Sequence, residues 1–232
     1  MTEALVLAHG AFHGPWCWHP TILRLEKQGI RCVAVDLNRG GAKADRIALQ
    51  SVVDELRDEG CRVHAIGHSL GCIAVGALDP ETLATAMLLA GPVVDGPNVP
   101  DARTMIEPDF IKKLQTHEDG RGSLSREDAR DLFYHRCTNE ETEWALDRLR
   151  PTFVYGAERL DPDQSPLWDA LPVTYIACSD DRAVLPAYQA GVCEALAGSI
   201  SSVTLDSDHS PMLGAPDALA EVVISTIRKT QR

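Results

Sequence analysis

The chain has 232 residues, of which 44% are hydrophobic and 24% are charged, and its formal net charge is −12. This length suits one large α/β domain or two small ones, and such a chain can bury roughly 70% of its unfolded surface without disulfides or metals. The acidic balance disfavours nucleic acid and anionic membrane surfaces as partners.

Short apolar runs alternate with helical patterns in the first part of the chain. Strands are predicted over 4–9, 31–36, 62–66 and 84–90. Helices are predicted from about residue 16 or 20 to 28 and over 45–59, and a brief helix after residue 69 is ended by Asp79-Pro80. This alternation predicts a mostly parallel sheet with helices on both faces.

The stretch from about residue 93 to 171 is polar, with scattered aromatic residues and no convincing strand pattern. Three helices are predicted within it, over 109–116, 125–136 and 140–149. Their predicted N-caps are Asp109, Ser125 and Asn139. We interpret residues 93–171 as a helical cap inserted into a single domain that spans 1–232.

The strand pattern resumes after the predicted cap. Strands are predicted over 173–178 and 202–205, and helices over 186–197 and 218–229. The chain contains no internal repeat, low-complexity tract or long linker.

Residues 67–71 read Gly-His-Ser-Leu-Gly between a predicted strand and a predicted helix. This context is typical of a nucleophile elbow, in which Ser69 lies at the tip of a strained turn. Gly67 and Gly71 are expected because side chains there would collide with the packed strand and helix. Backbone N–H groups at the start of the helix would face an oxyanion that develops beside Ser69. The alternative is an ordinary glycine-rich turn, which the surrounding pattern disfavours.

A serine hydroxyl needs a general base, and the base needs a carboxylate to hold its tautomer. In this kind of fold the chain order is serine, acid, histidine, and ligands bind at the carboxyl ends of the strands. Asp180 and Asp181 follow the predicted strand that ends at residue 178, and His209 follows the last predicted strand. The alternative interpretations are that Asp180 and Asp181 form a helix-capping acid pair and that His209 is a solvated loop histidine.

The first predicted strand is followed by His9-Gly10-Ala11. The backbone N–H of Ala11, together with that of Leu70, is therefore a candidate oxyanion hole. Phe12, in the same loop, is the candidate substrate-binding residue.

Three histidines are expected near the site, at 9, 13 and 68. They are not spaced as metal ligands on one element, so no metal is predicted. His64 lies inside a strand and is interpreted as a satisfied core residue. Trp16 and Trp18 are interpreted as packing residues.

Seven cysteines occur, an odd number with no C-x-x-C pair, and most lie in apolar runs. We expect them to be reduced in a cytoplasmic protein. The beginning of the chain lacks a signal-peptide pattern, and no apolar run reaches the length of a membrane span.

Four segments resemble the α/β-hydrolase superfamily, and within it the branch of plant methyl-ester esterases, hydroxynitrile lyases and bacterial relatives. They are 9–18 (HGAFHGPWCW), 67–71 (GHSLG), 181–186 (DRAVLP) and 208–211 (DHSP). Residues 132–134 (LFY) resemble the same branch. The similarity covers essentially the whole chain, and the entrance loop 9–18 is its most specific motif.

The resemblance implies an α/β-hydrolase fold with a helical cap, without the first two strands of the full superfamily sheet. It implies a catalytic triad in which Ser69 is the nucleophile, His209 the base and Asp181 the acid. Asp181 is preferred to Asp180 because the branch places the acid just before a short run that ends in Leu-Pro. The positions of Ala11 and Leu70 match the oxyanion hole.

The predicted activity is that of a serine esterase, which cleaves a small-molecule carboxylic ester through an acyl-enzyme without a cofactor. Hydroxynitrile lyases carry a lysine after the catalytic histidine, whereas this chain has Ser210, which disfavours cyanohydrin cleavage. A lyase-like or carbon–carbon bond hydrolase on the same triad remains an alternative, as does a small-molecule receptor on a hydrolase scaffold. The sequence does not identify the acyl and alcohol groups of the substrate. It does not determine the oligomeric state either, and a homodimer is one of the possibilities.

Overall fold

A parallel β-sheet forms the centre of the computed structural model, which describes residues 1–156, 160 and 163–230. The strands of this described part are β1 (Glu3–Ala8), β2 (Arg31–Val35), β3 (Arg62–His68), β4 (Thr85–Leu89), β5 (Gln115–Thr116), β6 (Gly122–Ser123), β7 (Val173–Cys178) and β8 (Ser201–Leu205). The main sheet has the order β2-β1-β3-β4-β7-β8, and its neighbouring strands pair in parallel. The predicted strands and their parallel arrangement are thus confirmed.

Helices cover both faces of this sheet, as predicted. Those of the described residues are α1 (His19–Glu26), α2 (Ala42–Asp58), α3 (Gly71–Gly76), α4 (Phe110–Lys113), α5 (Arg126–Phe133), α6 (Asn139–Leu146), α7 (Pro186–Ala195), α8 (Pro211–Gly214) and α9 (Pro216–Lys229). Alternate residues of β1 point to opposite faces. Leu5 and Leu7 join one apolar cluster with α1 and α9, whereas Ala4 and Val6 join a second cluster with α2.

The segment between β4 and β7 contains the predicted helices α4, α5 and α6, each shorter than expected. The expectation that it holds no strand is wrong, because β5 and β6 pair as a short antiparallel hairpin. Strands of two residues are too short to leave an alternating pattern in the sequence. The boundaries of the cap, 93–171, stay a prediction. The predicted cap and the predicted domain also include residues 157–159, 161, 162, 231 and 232, which lie outside the described residues.

The helix caps in this segment agree with the prediction only in part. Asp109 precedes α4, but its side chain makes no capping hydrogen bond. Ser125 caps α5, since its side chain accepts a hydrogen bond from the N–H of Asp128. The cap of α6 is Thr138 rather than Asn139. The Thr138 hydroxyl accepts from the N–H of Glu141, and the Glu141 carboxylate accepts from the N–H of Thr138, which forms a capping box.

His64 is a satisfied core residue, as predicted: it is buried and lies within hydrogen-bond distance of Thr85 Oγ1 (2.9 Å) and Glu3 Oε2 (2.7 Å). The cysteines are free. In the part of the chain that is described, no helix is both long enough and apolar enough to cross a membrane.

Candidate active site

Ser69 occupies the sharp turn between β3 and α3. Its φ of 51° lies in the left-handed region, which residues with a side chain rarely adopt, so the turn is strained as the motif predicts. The Ser69 N–H donates to the carbonyl oxygen of Leu89 (2.9 Å), which holds the turn against β4. Ser69 is half-buried, whereas His68 and Leu70 on either side are buried. The turn therefore presents the serine towards the surface.

The glycines around Ser69 are required by close backbone contacts. A Cβ atom on Gly67 would lie 2.7 Å from the carbonyl oxygen of Gly71. A Cβ atom on Gly71 would lie 2.7 Å from the carbonyl oxygens of Ala8 and His9 at the end of β1. The collision expected from the sequence is thus confirmed for both glycines. Gly10 is constrained in the same way, since its Cβ would lie 2.8 Å from that of Ser69.

Asp181 and His209 meet at the carboxyl ends of β7 and β8. The two loops are tied together by the Asp180 N–H, which donates to the carbonyl oxygen of Ser207 (3.0 Å). His209 Nδ1 lies 2.8 Å from Asp181 Oδ2, and the two residues are only 2% and 3% exposed. This contact assigns the Nδ1–H tautomer to His209 and leaves Nε2 as a proton acceptor.

The neighbouring carboxylate, Asp180, points away from His209. Its side chain is 52% exposed and lies 3.2 Å from His135 Nε2 and 3.9 Å from Arg136 Nε. Of the two aspartates that the residue pattern left open, only Asp181 contacts the histidine.

Gln189 on α7 is a partner of Asp181 that the sequence reasoning missed. Its side-chain N–H donates to Asp181 Oδ2 (2.9 Å), and its Oε1 accepts from the N–H of Cys178 (2.9 Å). Asp181 Oδ1 accepts from the N–H groups of Ala183 and Val184, both at 2.8 Å. These contacts hold the carboxylate in one orientation. A single glutamine in a helical pattern carries no signal for such a role.

Asp208 belongs to the 208–211 motif, but its supporting role was not predicted from the sequence. It is fully buried, and it accepts hydrogen bonds from the backbone N–H groups of Arg136 (2.9 Å) and Ser210 (3.0 Å). It therefore fixes the loop that carries His209 and joins that loop to the segment between α5 and α6.

The His209 ring lies between the elbow and α5. Its centroid is 4.5 Å from that of His68 and 5.6 Å from that of Phe133. His68 also donates from Nε2 to the carbonyl oxygen of His209 (2.8 Å). Within the described residues, no hydrogen bond joins the Ser69 hydroxyl to His209. Such bonds are often long without substrate and tighten in the reacting complex.

The two candidate oxyanion donors are Ala11, which follows β1, and Leu70, which directly precedes α3. Within the described ranges, neither the Ala11 N–H nor the Leu70 N–H makes a hydrogen bond to the protein. The Phe12 side chain is buried, and its ring lies 6.1 Å from that of Phe133. Contact of Phe12 with substrate and the roles of the other candidate residues stay predictions.

Burial disfavours the charged form of the three histidines near the site. His13 donates from Nδ1 to the carbonyl oxygen of Ala11 (2.7 Å) and accepts from the Tyr134 hydroxyl at Nε2 (2.8 Å). Burial lowers the pKa of His13 to about 3, and it lowers the pKa of His9 and, strongly, that of His68. Across the described residues, no group of three metal-ligating side chains is arranged to hold an ion.

The burial of His13 predicts a loss of stability in acid. Its folded pKa of about 3 lies below the ordinary value of 6.5, so the unfolded chain binds more protons between these pH values. The free energy of unfolding should therefore fall as the pH decreases through this window, by up to about 1.4 kcal/mol per pH unit for this one group. His13→Gln should make the slope shallower, as measured by urea unfolding between pH 4 and 7. The matched control is His19→Gln at an exposed position, and equal slopes for the two variants would contradict the prediction.

The chain is similar to known proteins over almost its whole length. A model of the alpha/beta hydrolase family matches residues 5–222. Norfluorocurarine synthase 2 from Strychnos is 28% identical over 97% of this chain and 95% of its own length, and methylesterase 2 from Arabidopsis thaliana is 24% identical over 96% and 95%. The crystal structure of tomato methylketone synthase I has a TM-score of 0.82 at 21% identity and covers 99% of both chains.

Proposed function

Since this chain belongs to the alpha/beta hydrolase family and is related to plant methylesterases, we propose that it is a serine esterase that cleaves a small carboxylic ester. The observation that carries the proposal is the buried 2.8 Å contact between Asp181 and His209, beside a strained turn with Ser69 at its tip. A nucleophile, a base and an acid that holds the tautomer of the base are the groups that acyl transfer requires.

In the proposed reaction the Ser69 Oγ attacks the ester carbonyl carbon, and His209 Nε2 takes the hydroxyl proton. The backbone N–H groups of Ala11 and Leu70 donate to the oxyanion of the tetrahedral intermediate. The intermediate collapses with loss of the alcohol, which receives its proton from His209. Water, activated by His209, then hydrolyses the acyl-enzyme and releases the acid. Asp181 stabilises the imidazolium that forms in each half of the reaction.

The cap and the entrance loop would set the sizes of the acyl and alcohol groups. A hydrolysis screen over both groups tests the proposal, and it includes methyl esters because a relative is named a methylesterase. Turnover of at least one ester by the wild type is the expected result. Failure across the whole screen would overturn the proposal.

The electrostatics of the site favour an esterase over a cyanohydrin lyase. A departing cyanide ion is stabilised by a nearby cation. This stabilisation is strongest in a desolvated site, where the dielectric constant is low. The residue after His209 is the uncharged Ser210, and burial lowers the pKa of His9, His13 and His68, which disfavours a positive charge on these rings. We therefore expect turnover of nitrophenyl acetate and no cyanide release from mandelonitrile above the uncatalysed background.

Two results would favour the alternatives. Cyanide release that disappears in Ser69→Ala, without esterase activity, would assign a lyase. Tight binding of a small ester with neither activity would assign a receptor.

A further inference from the structure

The entrance loop turns sharply at Phe12, the residue after the proposed oxyanion donor Ala11. The φ of Phe12 is 66°, in the left-handed region, where a bulky side chain is strained. Such a conformation persists only when the surrounding structure holds it. The contacts that hold it therefore decide where the Ala11 N–H points.

The peptide group between Ala11 and Phe12 is held at both of its polar atoms. Its carbonyl oxygen accepts from His13 Nδ1 (2.7 Å), and its N–H, on Phe12, donates to the hydroxyl oxygen of Thr152 (2.9 Å). Thr152 is 4% exposed, so water does not compete readily for this bond. The orientation of the peptide plane next to the Ala11 N–H is thus set by Thr152 and His13.

The residues before Thr152 hold the next part of the loop. The Arg150 N–H donates to the carbonyl oxygen of Phe12 (2.9 Å), and Arg150 Nε donates to the carbonyl oxygen of His13 (3.1 Å). The Arg150 guanidinium also pairs with Asp36, which follows β2. Arg150 and Thr152 therefore contact three backbone groups of the entrance loop, which are the Phe12 N–H, the Phe12 carbonyl and the His13 carbonyl.

The segment 150–153 is itself anchored to the main sheet and to the hairpin. Asn38, after β2, donates to the carbonyl oxygen of Pro151 (3.0 Å) and accepts from the N–H of Phe153 (2.9 Å). Thr152 and Gly122 exchange backbone hydrogen bonds of 2.9 and 2.8 Å. A segment tied on two sides can act as a rigid support for the loop.

We infer that Thr152 is a positioning residue for the oxyanion hole: its hydroxyl oxygen holds the Phe12 N–H and so places the Ala11 N–H beside Ser69. The inference rests on the proposed esterase function. It makes the segment inserted between β4 and β7 part of the machinery that stabilises the oxyanion.

The test compares Thr152→Val, which removes the acceptor at nearly constant volume, with Thr152→Ser, which keeps it. In Thr152→Val the kcat for nitrophenyl acetate should fall about 10- to 100-fold, the effect of a misplaced group or donor, with KM changed by less than about twofold. The Ki of an aryl trifluoromethyl ketone, whose hemiketal oxyanion occupies the same hole, should rise by a similar factor. Thr152→Ser should stay near the wild type in both.

Two further measurements keep the test decisive. Hydrogen exchange of the Phe12 amide, followed by NMR, should be faster in Thr152→Val than in Thr152→Ser. Arg150→Lys keeps the backbone hydrogen bond to Phe12 but loses the Nε–H donor to His13. It should therefore lower kcat and raise Ki, but by smaller factors than Thr152→Val does. This variant gives the answer if Thr152→Val does not fold.

The outcomes separate this inference from the proposed function. If the wild type hydrolyses the ester and Thr152→Val has the same kcat and Ki, the inference is overturned and the proposed function stands. The same holds if Thr152→Val shows only a lower melting temperature. If the wild type hydrolyses no ester, the proposed function fails, and equal Phe12 exchange in the valine and serine variants overturns the inference as well.

Discussion

Ser69→Ala is expected to lower the kcat for ester hydrolysis by about 10⁶-fold, as removal of the nucleophile does in a serine protease. The side chain that would form the acyl-enzyme is lost, and no other hydroxyl lies at the tip of the elbow. The variant should remain folded, because the strain at this position belongs to the backbone and alanine is no larger than serine. The measurements are steady-state kinetics on nitrophenyl acetate and a thermal melt.

A covalent probe checks the same assignment independently. A fluorophosphonate should label Ser69 in the wild type and should label nothing in Ser69→Ala, as read by peptide mass spectrometry. The matched control is Ser179→Ala, an exposed serine after β7, which should keep wild-type turnover and labelling. Label on another residue, or turnover that survives in Ser69→Ala, would refute the nucleophile assignment.

Asp181→Asn is expected to lower kcat by about 10⁴-fold, the size of the effect in a Ser-His-Asp protease, with little change in KM. Asparagine can keep an oxygen towards the N–H groups of Ala183 and Val184. Its amide nitrogen then faces His209 Nδ1, which must become an acceptor, so Nε2 carries the proton and no longer serves as a base. Steady-state kinetics with the folded variant give the answer.

The neighbouring Asp180→Asn variant is the matched control for this prediction. Asp180 is half-exposed and lies beside His135 and Arg136 rather than His209. Its kcat should stay within about threefold of the wild type, because exposed ion pairs contribute little energy. Comparable losses of kcat in the two variants would show that catalysis depends on the negative charge of the loop rather than on the contact with His209.

The sharp turn at Ser69 could be predicted from the sequence because its causes are local. Gly67 and Gly71 are needed where a strand and a helix pack against each other within five residues, and the apolar run of β3 identifies the strand. The order of the elements likewise located Asp181 and His209 at the ends of late strands. Parallel strands place their carboxyl ends at one edge, so chain order alone indicates which loops meet.

The inserted segment was predicted less well. The helices α4, α5 and α6 were recognised, but each ends earlier than its periodicity suggests, and the hairpin was missed. Short elements on a polar surface receive most of their stability from tertiary packing rather than from propensity. Their limits are therefore only weakly recorded in the local sequence.

By itself, the sequence determined the alternation of strands and helices, the sharp turn at Ser69 and the loops that hold Asp181 and His209, since these follow from periodicity, glycine sterics and chain order. Only the tertiary structure decided which aspartate contacts His209, that Gln189 and Asp208 support them, and that Thr152 holds the entrance loop. Phe12 and Thr152 are 140 positions apart along the chain. A hydrogen bond between such distant groups exists only after the sheet and the inserted segment have packed together, so no local pattern of residues encodes it.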